Sequence, residues 1–521
     1  MRLSKRRTSV PTPLQSAGQN KKTTAKGPAR HAAKHPAHFQ KGPAQGLCNP
    51  TERGGFMKKT FTRSIFIFII TLAFFGGLGL FTFRICVNAN DWIQQNFNGH
   101  ISGSGGLEQA GKIFDRNGNI MAQSIDGQRY YHEDYTTRLA TLHIVGDNSL
   151  NISTAAQSTY RSELLGFNYI WGLEMPQTFR GGGNLTLTID SAVCKAAYEA
   201  LNGKRGAIVV LNYKTGEVLC NVSSTTYDPQ DPPEITEENE EEYNGAYLNR
   251  ALSSSYTPGS IFKLVTAAAA IENIPDIFER TFTCNGGVVL GGEEISCLSN
   301  HGAIGFQDGL AQSCNVVFAE LAVELGKDKM TQQATQMGIN ASFNVGNAPT
   351  VQGKYDVSKA SENELGWSGI GQYTDLANPM QMAILMSAIA TDGRAVEPYF
   401  VSSVSSADFS PVRAGGASKG QTLLSENAAQ TLNEMMRYTV TSNYGDSMFP
   451  SLEVCAKTGT AEVSDDEDGK NDAWIVGFSR DEDAPLAFAV VVEDGEFGYS
   501  TAGPVAVAAM EAAAQALRTA E

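Results

Sequence analysis

Three short motifs hold residues whose types and spacing can do chemistry. Ser260-Ile261-Phe262-Lys263 follows Pro258-Gly259 and opens an apolar helical stretch. Residues three apart share a helix face, so the Lys263 amine can reach the Ser260 hydroxyl. A serine hydroxyl is a weak nucleophile and needs a base beside it. A lysine serves when burial and nearby positive charge lower its pKa. Ser313-Cys314-Asn315 stands 53 residues later, at the start of another helical stretch. On a loop, side chains two apart can face one cleft, where the hydroxyl can relay a proton to a departing amine and the amide can hold a substrate carbonyl. Lys457-Thr458-Gly459-Thr460 follows the strand-like run Leu452–Ala456. There the lysine supplies a fixed positive charge and the threonines can bond a carboxylate. Gly459 lets another backbone come close, and the strand edge can pair with an extended peptide. Each motif alone has a plainer reading. Ser260 or Ser313 can be a helix cap, and Lys-Thr-Gly also occurs at 214–216, where it reads as a turn.

The elements that must position these residues are legible around them. Leu185–Ile189 alternates and is β-branched, a strand ending at Asp190, and Ser191–Asn202 reads as a helix. Ala207–Leu211 and Glu217–Val222 flank the Lys-Thr-Gly turn as a hairpin. Ala-rich stretches at 264–272, 310–325, 379–391, 425–440 and 503–519 predict helices, and 452–456, 473–478 and 486–493 predict strands. The mixture predicts an α+β or α/β domain. Pro229–Glu242 is acidic and reads as a solvated loop. Residues 88–185 are turn-rich, with Lys112–Phe114 strand-like ahead of an Asn117-Gly118 turn.

Charge divides the 521-residue chain. Residues 1–63 hold 14 Lys/Arg and one acid, a net of +13; the rest holds 26 basic and 54 acidic residues, a net of −28. An acidic body argues against nucleic-acid binding there, because phosphates need a basic partner. The basic head lacks apolar periodicity, and residues 1–56 read as disordered. Met57-Lys58-Lys59 is an alternative start. Ile65–Phe83 is a 19-residue run without charge, long enough to span a bilayer. Lys58, Lys59 and Arg63 before it leave the N-terminus cytoplasmic and the body outside. The competing reading is a signal peptide cleaved near Val87-Asn88-Ala89, but the apolar run is long for a signal core.

Eight cysteines are too few for a disulfide scaffold. Cys284 and Cys297 bracket a Gly-rich hairpin and are a candidate disulfide; buried free thiols are expected of Cys194 and Cys220. Cys314 and Cys455 are expected to pack. Histidines of the body (His100, His132, His143, His301) are scattered, and no Cys/His group has familiar zinc spacing, so no metal is expected.

In this order the three motifs resemble the Ser-x-x-Lys, Ser-x-Asn, Lys-Thr-Gly set of penicillin-binding proteins and serine β-lactamases. The likeness extends to class B penicillin-binding proteins over about 110–515. It is carried by Leu248–Ala251 before Tyr256–Lys263, by Gly206–Val210 with Thr215–Leu219 and Tyr227-Asp228-Pro229, and by Gly369–Gln372 with Pro379–Ala383. Lys457–Glu462, Ala473–Phe478 and the membrane-proximal Gly111–Gly118 complete it. Four positions depart from the pattern: Ala110 for an arginine, Tyr373 for the third residue of Gly-Gln-Gly, Asn378 for a threonine, and Asp472 for a histidine. They bear on substrate detail rather than reaction class.

The resemblance implies an α+β transpeptidase domain, an antiparallel sheet covered by helices, on a small elongated mainly-β pedestal with one N-terminal transmembrane helix. The division would be a basic tail 1–63, an anchor 64–84, a pedestal 85–185 and a catalytic domain 186–521. It implies D,D-transpeptidation of peptidoglycan stem peptides, with Ser260 as nucleophile, Lys263 as base, and Ser313 and Lys457 passing the proton to the departing D-Ala. Asn315 would hold the peptide amide, Lys457, Thr458 and Thr460 the carboxylate, and the backbone N–H groups of Ser260 and Thr460 the oxyanion. β-Lactams would acylate Ser260, and no cofactor is implied. About 100 residues between the anchor and the first transpeptidase strand are too few for a glycosyltransferase, so a SEDS-type polytopic glycan polymerase is the expected partner. The same fold with water as acceptor gives a carboxypeptidase or β-lactamase, and a β-lactam sensor or non-catalytic scaffold stands as the alternative outside enzymology.

Overall fold

The computed structural model describes residues 50–93, 107–166, 182–405, 411–416, 418–462 and 471–519. Two compact units divide the chain, residues 1–80 and 81–521.

One helix begins at Pro50 and continues to Ile93. Its Thr60–Arg84 stretch has a mean hydropathy of 2.4 and is long and apolar enough to cross a membrane. Residues 50–63, grouped in the sequence with the basic tail, are helical here, because a helix already nucleated over the apolar run extends cheaply into its flanks. The Val87-Asn88-Ala89 segment lies within the same helix. The rest of the basic tail lies outside the described residues.

The second unit is built on a five-stranded antiparallel sheet with the order β3-β4-β5-β1-β2. Its strands are β1 (Gly206–Asn212), β2 (Val218–Ser224), β3 (Val454–Glu462), β4 (Asn471–Ser479) and β5 (Leu486–Val492). Every residue of β1, β2 and β5 is buried, because helices cover both faces; that is why Ala207–Leu211 of β1 and the whole of β5 read as continuous apolar runs rather than alternating ones. Helices α1 (Ser191–Leu201) and α6 (Gly503–Thr519) pack on each other and on the sheet. Helix α4 (Pro379–Ala390), with eleven of its twelve residues buried, packs against β5, β4 and β1. Between them, α2 (Lys263–Asn273) packs on α3 (Asn315–Gln336), and α5 (Glu426–Thr439) packs on β3.

A six-stranded sheet forms the second layer. Ile113–Phe114, Ile120–Ile125, Gln128–Tyr131 and Asn184–Leu187 are joined in it by Val401–Ser405 and Pro411–Ala414, which return from the far half of the chain. The Asp115–Gly118 motif fastens this sheet to α1. Buried Asp115 accepts from the backbone N–H groups of Asn117 and Asn119, closing the turn at Gly118 (φ +83°), and its other oxygen accepts from the Ser191 hydroxyl at 2.7 Å. Asp190 caps α1 and also accepts from Asn117.

Candidate active site

Ser260 lies in a 3-10 turn, Gly259–Phe262, that runs directly into α2. The sequence predicts an α-helix from the serine itself; the tighter turn arises because Gly259 has φ +53° and presses against β3. A Cβ at Gly259 would stand 2.5 Å from the Thr460 carbonyl oxygen, and one at Gly459 would stand 2.8 Å from that of Pro258. The two glycines let the nucleophile's turn and the strand edge touch backbone to backbone.

Lys263 and Lys457 are fully buried. Lys263 Nζ donates to Ser313 O at 2.6 Å, Ser313 Oγ at 3.1 Å and Asn315 Oδ1 at 2.7 Å. Lys457 Nζ donates to Ser313 Oγ at 3.1 Å and to Thr458 O at 2.8 Å. Ser313 Oγ therefore stands between two amines. Burial lowers Lys263 to about 7, against weak opposition from the thiols of Cys297 and Cys314. Burial and then the charge of Lys263 hold Lys457 well below its ordinary value. Among the described residues no hydrogen bond joins Ser260 Oγ to Lys263 Nζ. The ammonium spends its three donors on the Ser313–Asn315 turn, and its nitrogen has a lone pair to offer the serine only once a proton has gone.

Ser260, Ser313, Asn315, Thr458, Gly459 and Thr460 line one cleft of about 910 Å³, whose walls include Trp367, Tyr373, Phe497 and Tyr499. Thus the six cleft residues and the two buried lysines, all eight singled out by sequence, meet in one place. The second Lys-Thr-Gly is a plain turn, with Gly216 at φ +81° and Lys214 donating to Glu482 O on the surface. No histidine is among the described residues that line the cleft.

Tyr444 was not legible in the sequence. Its phenol accepts from the Thr458 N–H at 3.0 Å and lies 2.9 Å from Thr458 Oγ1. Having accepted from the amide, the phenol has its own hydrogen for Oγ1, which leaves the threonine hydroxyl hydrogen free to point elsewhere. Thr460 Oγ1 accepts from Gly498 N at 3.2 Å. A tyrosine at the end of a π-helical turn (Val440–Tyr444) after α5 carries no motif, and only the fold brings it to Thr458.

The four departures have local accounts. Tyr373 takes φ +77°, a conformation that glycine adopts freely. Asn378 caps α4 through a reciprocal pair with Gln381 and donates to Ser254 O at 2.7 Å, so the cap is kept. Ala110 O and Gly111 O accept from the buried Arg129 guanidinium. Asp472 is buried beside Glu493 and Asp494, and its carboxyl rises to about 7.

The cysteine expectations fare unevenly. Cys194, Cys220, Cys284, Cys297, Cys314 and Cys455 are all free thiols, so Cys284 and Cys297 do not form the disulfide weighed from their spacing. The hairpin between them does form, as Gly287–Leu290 and Glu293–Ser296. It carries Cys297 toward His301 and Cys314, where the sequence showed no cluster.

Residues 206–511 match the family described as the penicillin-binding protein transpeptidase domain. Among curated proteins, the peptidoglycan D,D-transpeptidase PbpA of Mycolicibacterium smegmatis is 28% identical over 74% of this chain and 84% of its own length. PbpA of Mycobacterium tuberculosis is 27% identical over 76% of this chain and 88% of its own length. Among solved structures, the ceftriaxone acyl-enzyme complex of M. tuberculosis penicillin-binding protein A has a TM-score of 0.69 at 25% identity, covering 78% of this chain and 98% of that one. The D,D-transpeptidase domain of a peptidoglycan glycosyltransferase from Eggerthella lenta has a TM-score of 0.68 at 28% identity, covering 79% and 99%.

Proposed function

The chain belongs to the penicillin-binding protein transpeptidase family, and from that premise we propose how its cleft works as a peptidoglycan D,D-transpeptidase that β-lactams acylate. The observation that carries the reading is Ser313 Oγ held 3.1 Å from each of two buried lysines in the cleft that Ser260 lines.

Neutral Lys263 takes the Ser260 proton as Oγ attacks the D-Ala-D-Ala carbonyl. The developing oxyanion is bound by the backbone N–H groups of Ser260 and Thr460. As the C–N bond breaks, the departing D-Ala amine receives a proton through Ser313, which Lys457 and Lys263 both contact. The substrate's carboxylate rests on Thr458, Thr460 and the charge of Lys457, its peptide amide on Asn315, and its backbone along the free edge of β3. An amine of a second stem peptide then attacks the acyl-enzyme, and the same groups run in reverse. A β-lactam follows the first half, its ring amide taking the place of the scissile bond.

The apolar Thr60–Arg84 helix serves as a membrane anchor with its basic flank cytoplasmic. Of the four-part division, the pedestal 85–185 gains the strands Val401–Ser405 and Pro411–Ala414, and the glycan strands come from a SEDS-type polytopic polymerase in the same membrane.

The test uses the full chain in detergent with a fluorescent penicillin, wild type against Ser260→Ala. A stable adduct on wild type and none on the variant are expected. Rapid loss of label would make the chain a β-lactamase, and absence of any Ser260-dependent adduct would overturn acyl transfer altogether.

A further inference from the structure

Four soft or borderline ligands converge beside the catalytic cleft. Cys284 ends one strand (Thr281–Cys284), Cys297 follows the Gly287–Ser296 hairpin, His301 precedes another strand (Gly302–Gly305), and Cys314 caps α3. Their Sγ and ring-nitrogen atoms all lie within 4.8 Å of one another. His301 Nδ1 is 3.3 Å from Cys284 Sγ and 3.6 Å from Cys297 Sγ, and Cys297 Sγ is 4.0 Å from Cys314 Sγ. A tetrahedral zinc ion with Zn–S of about 2.3 Å and Zn–N of about 2.0 Å has ligand-to-ligand edges of roughly 3.6–3.8 Å. Three of the six edges, at 3.3, 3.6 and 4.0 Å, bracket those values, none exceeds 4.8 Å, and the thiols are free, so the four atoms are close enough to converge on one zinc ion.

The surroundings fit a metal better than a packed core. Between Thr281 and Gly305 only Cys284, Ile295 and Ile304 are buried apolar side chains. The segment folds as two separate two-stranded ribbons, which are marginal on their own. Small, poorly cored segments are commonly held by a structural metal. The Asn315 N–H already points at Cys297 Sγ at 3.3 Å, the kind of backbone donor that supports a thiolate ligand. The Cys284 thiol donates to Ser299 O at 3.5 Å.

The position decides what such an ion would do. Cys314 is the middle residue of Ser313-Cys314-Asn315, and Ser313 holds a left-handed φ of +56°, costly for a residue with a Cβ. Asn315 Nδ2 donates to Ser296 O at 2.9 Å, next to Cys297. Fixing Cys314 and Cys297 to one ion fixes both neighbours of the motif's middle residue.

We propose that Cys284, Cys297, His301 and Cys314 bind one zinc ion as a closed Cys3His site, and that the ion braces the Ser313–Asn315 turn in the geometry needed for acylation. Binding releases three thiol protons to solvent, while the imidazole binds through the Nδ1 lone pair and keeps its proton on Nε2. The four protein ligands leave no open position, so the ion takes no part in the bond-making steps. The first half of the proposal stands on geometry alone; the second rests on the acyl-transfer reading above.

The test starts from the full chain, purified in detergent without chelator or added metal, and measures zinc by elemental mass spectrometry. About one equivalent per chain is expected, lost in Cys284→Ser and His301→Ala. Should those variants fail to fold, wild type stripped and reloaded with cobalt(II) still decides. A Cys3His site gives intense near-ultraviolet thiolate-to-cobalt bands and the visible bands of tetrahedral cobalt. Substoichiometric zinc with no such bands, or a Cys284–Cys297 disulfide in peptide maps of protein kept free of reductant, overturns the site. For the bracing role, the zinc-free chain is assayed below its melting temperature with a penicillin. Its acylation rate constant should fall by about tenfold or more, toward the roughly 100-fold cost of a 1 Å misplacement, while affinity of the noncovalent complex holds. Stoichiometric zinc with an unchanged rate constant would keep the site and overturn the bracing. Stoichiometric zinc in a chain that forms no penicillin adduct at all would overturn acyl transfer, and the bracing with it.

Discussion

Acylation should titrate with Lys263. Burial lowers this amine from the ordinary 10.5 to about 7. The titratable groups that face it are Lys457 and the thiols of Cys297 and Cys314. A base works only when neutral, so the rate rises with pH through the folded-state pKa. The neutral fraction is then about one half at pH 7, against roughly 0.03% for an unperturbed lysine, a gain of more than about 1,000-fold in competent base. Between pH 6 and pH 8 the fraction climbs from about 9% to about 91%, so the second-order rate of penicillin acylation should rise about tenfold and flatten above pH 8. The assay is adduct formation on the full chain in detergent, followed from pH 5.5 to pH 9. Lys263→Arg, charged at every pH, should lose about 10²–10⁴-fold and show no such inflection. A rate that keeps rising tenfold per pH unit to pH 9, or a flat profile in wild type, would refute Lys263 as the base.

Three further substitutions separate the parts of the site. Tyr444→Phe strips the Thr458 N–H and hydroxyl of their shared partner; an unmet polar group costs about 1–3 kcal/mol, so acylation should slow by roughly 5–150-fold with the pH midpoint unmoved. Gly259→Ala puts a Cβ 2.5 Å from Thr460 O at a φ of +53°, and the chain should fold yet form little adduct, with a lowered melting temperature. Asp472→Asn tests a buried carboxyl raised to about 7 by burial and by Glu493 and Asp494. The folded chain holds that proton between about pH 4 and pH 7 while the unfolded chain has released it, so the wild type loses stability as pH rises through 7. The asparagine variant should be the more stable at pH 8, by at most about 4 kcal/mol, with the gap closing near pH 4 in thermal melts.

The catalytic residues were readable because each belongs to a contiguous motif in which spacing itself encodes function. Ser260 and Lys263 sit one turn apart, and the β3 residues alternate along an edge. The strands were readable because Ala207–Leu211 of β1 and all of β5 are short apolar runs rich in β-branched residues, too short for a buried helix. What escaped is what depends on distant segments meeting. Val401–Ser405 joins the six-stranded sheet by pairing with Asn184–Leu187, more than 200 residues away. Tyr444 reaches Thr458 from the π-helical turn that follows α5, and His301 meets Cys284 only after two ribbons have folded. The Cys284–Cys297–His301–Cys314 spacing lacks the close Cys pair by which zinc sites are usually read. Tyr373 and Asn378 looked like departures in sequence, yet one keeps the left-handed backbone and the other keeps the cap.

The Ser313 turn ties the site's chemistry to its conformation. Ser313 carries a left-handed backbone without being glycine, and its carbonyl accepts from Lys263 Nζ at 2.6 Å, the shortest of that amine's three contacts. The turn is closed behind it by Ser313 N to Leu310 O and Cys314 N to Gly309 O. A charged donor on the strained peptide is stronger than a neutral one by roughly twofold. The turn is therefore held most firmly when Lys263 is protonated, which is the state it reaches after taking the serine's proton. Proton transfer to the base then tightens the loop that carries the proton donor for the leaving group and the amide that holds the substrate. In the resting enzyme, with Lys263 neutral half the time at pH 7, the same bond is weaker, and the turn depends on its remaining ties: Asn315 to Ser296, the two backbone bonds, and the grip on Cys314. Acid–base state and loop geometry are thus one coupled variable. Ser313→Gly keeps the carbonyl but removes Oγ, so in the same pH profile it should shift the Lys263 midpoint downward as well as slow the reaction, because the charged amine loses one of its three acceptors.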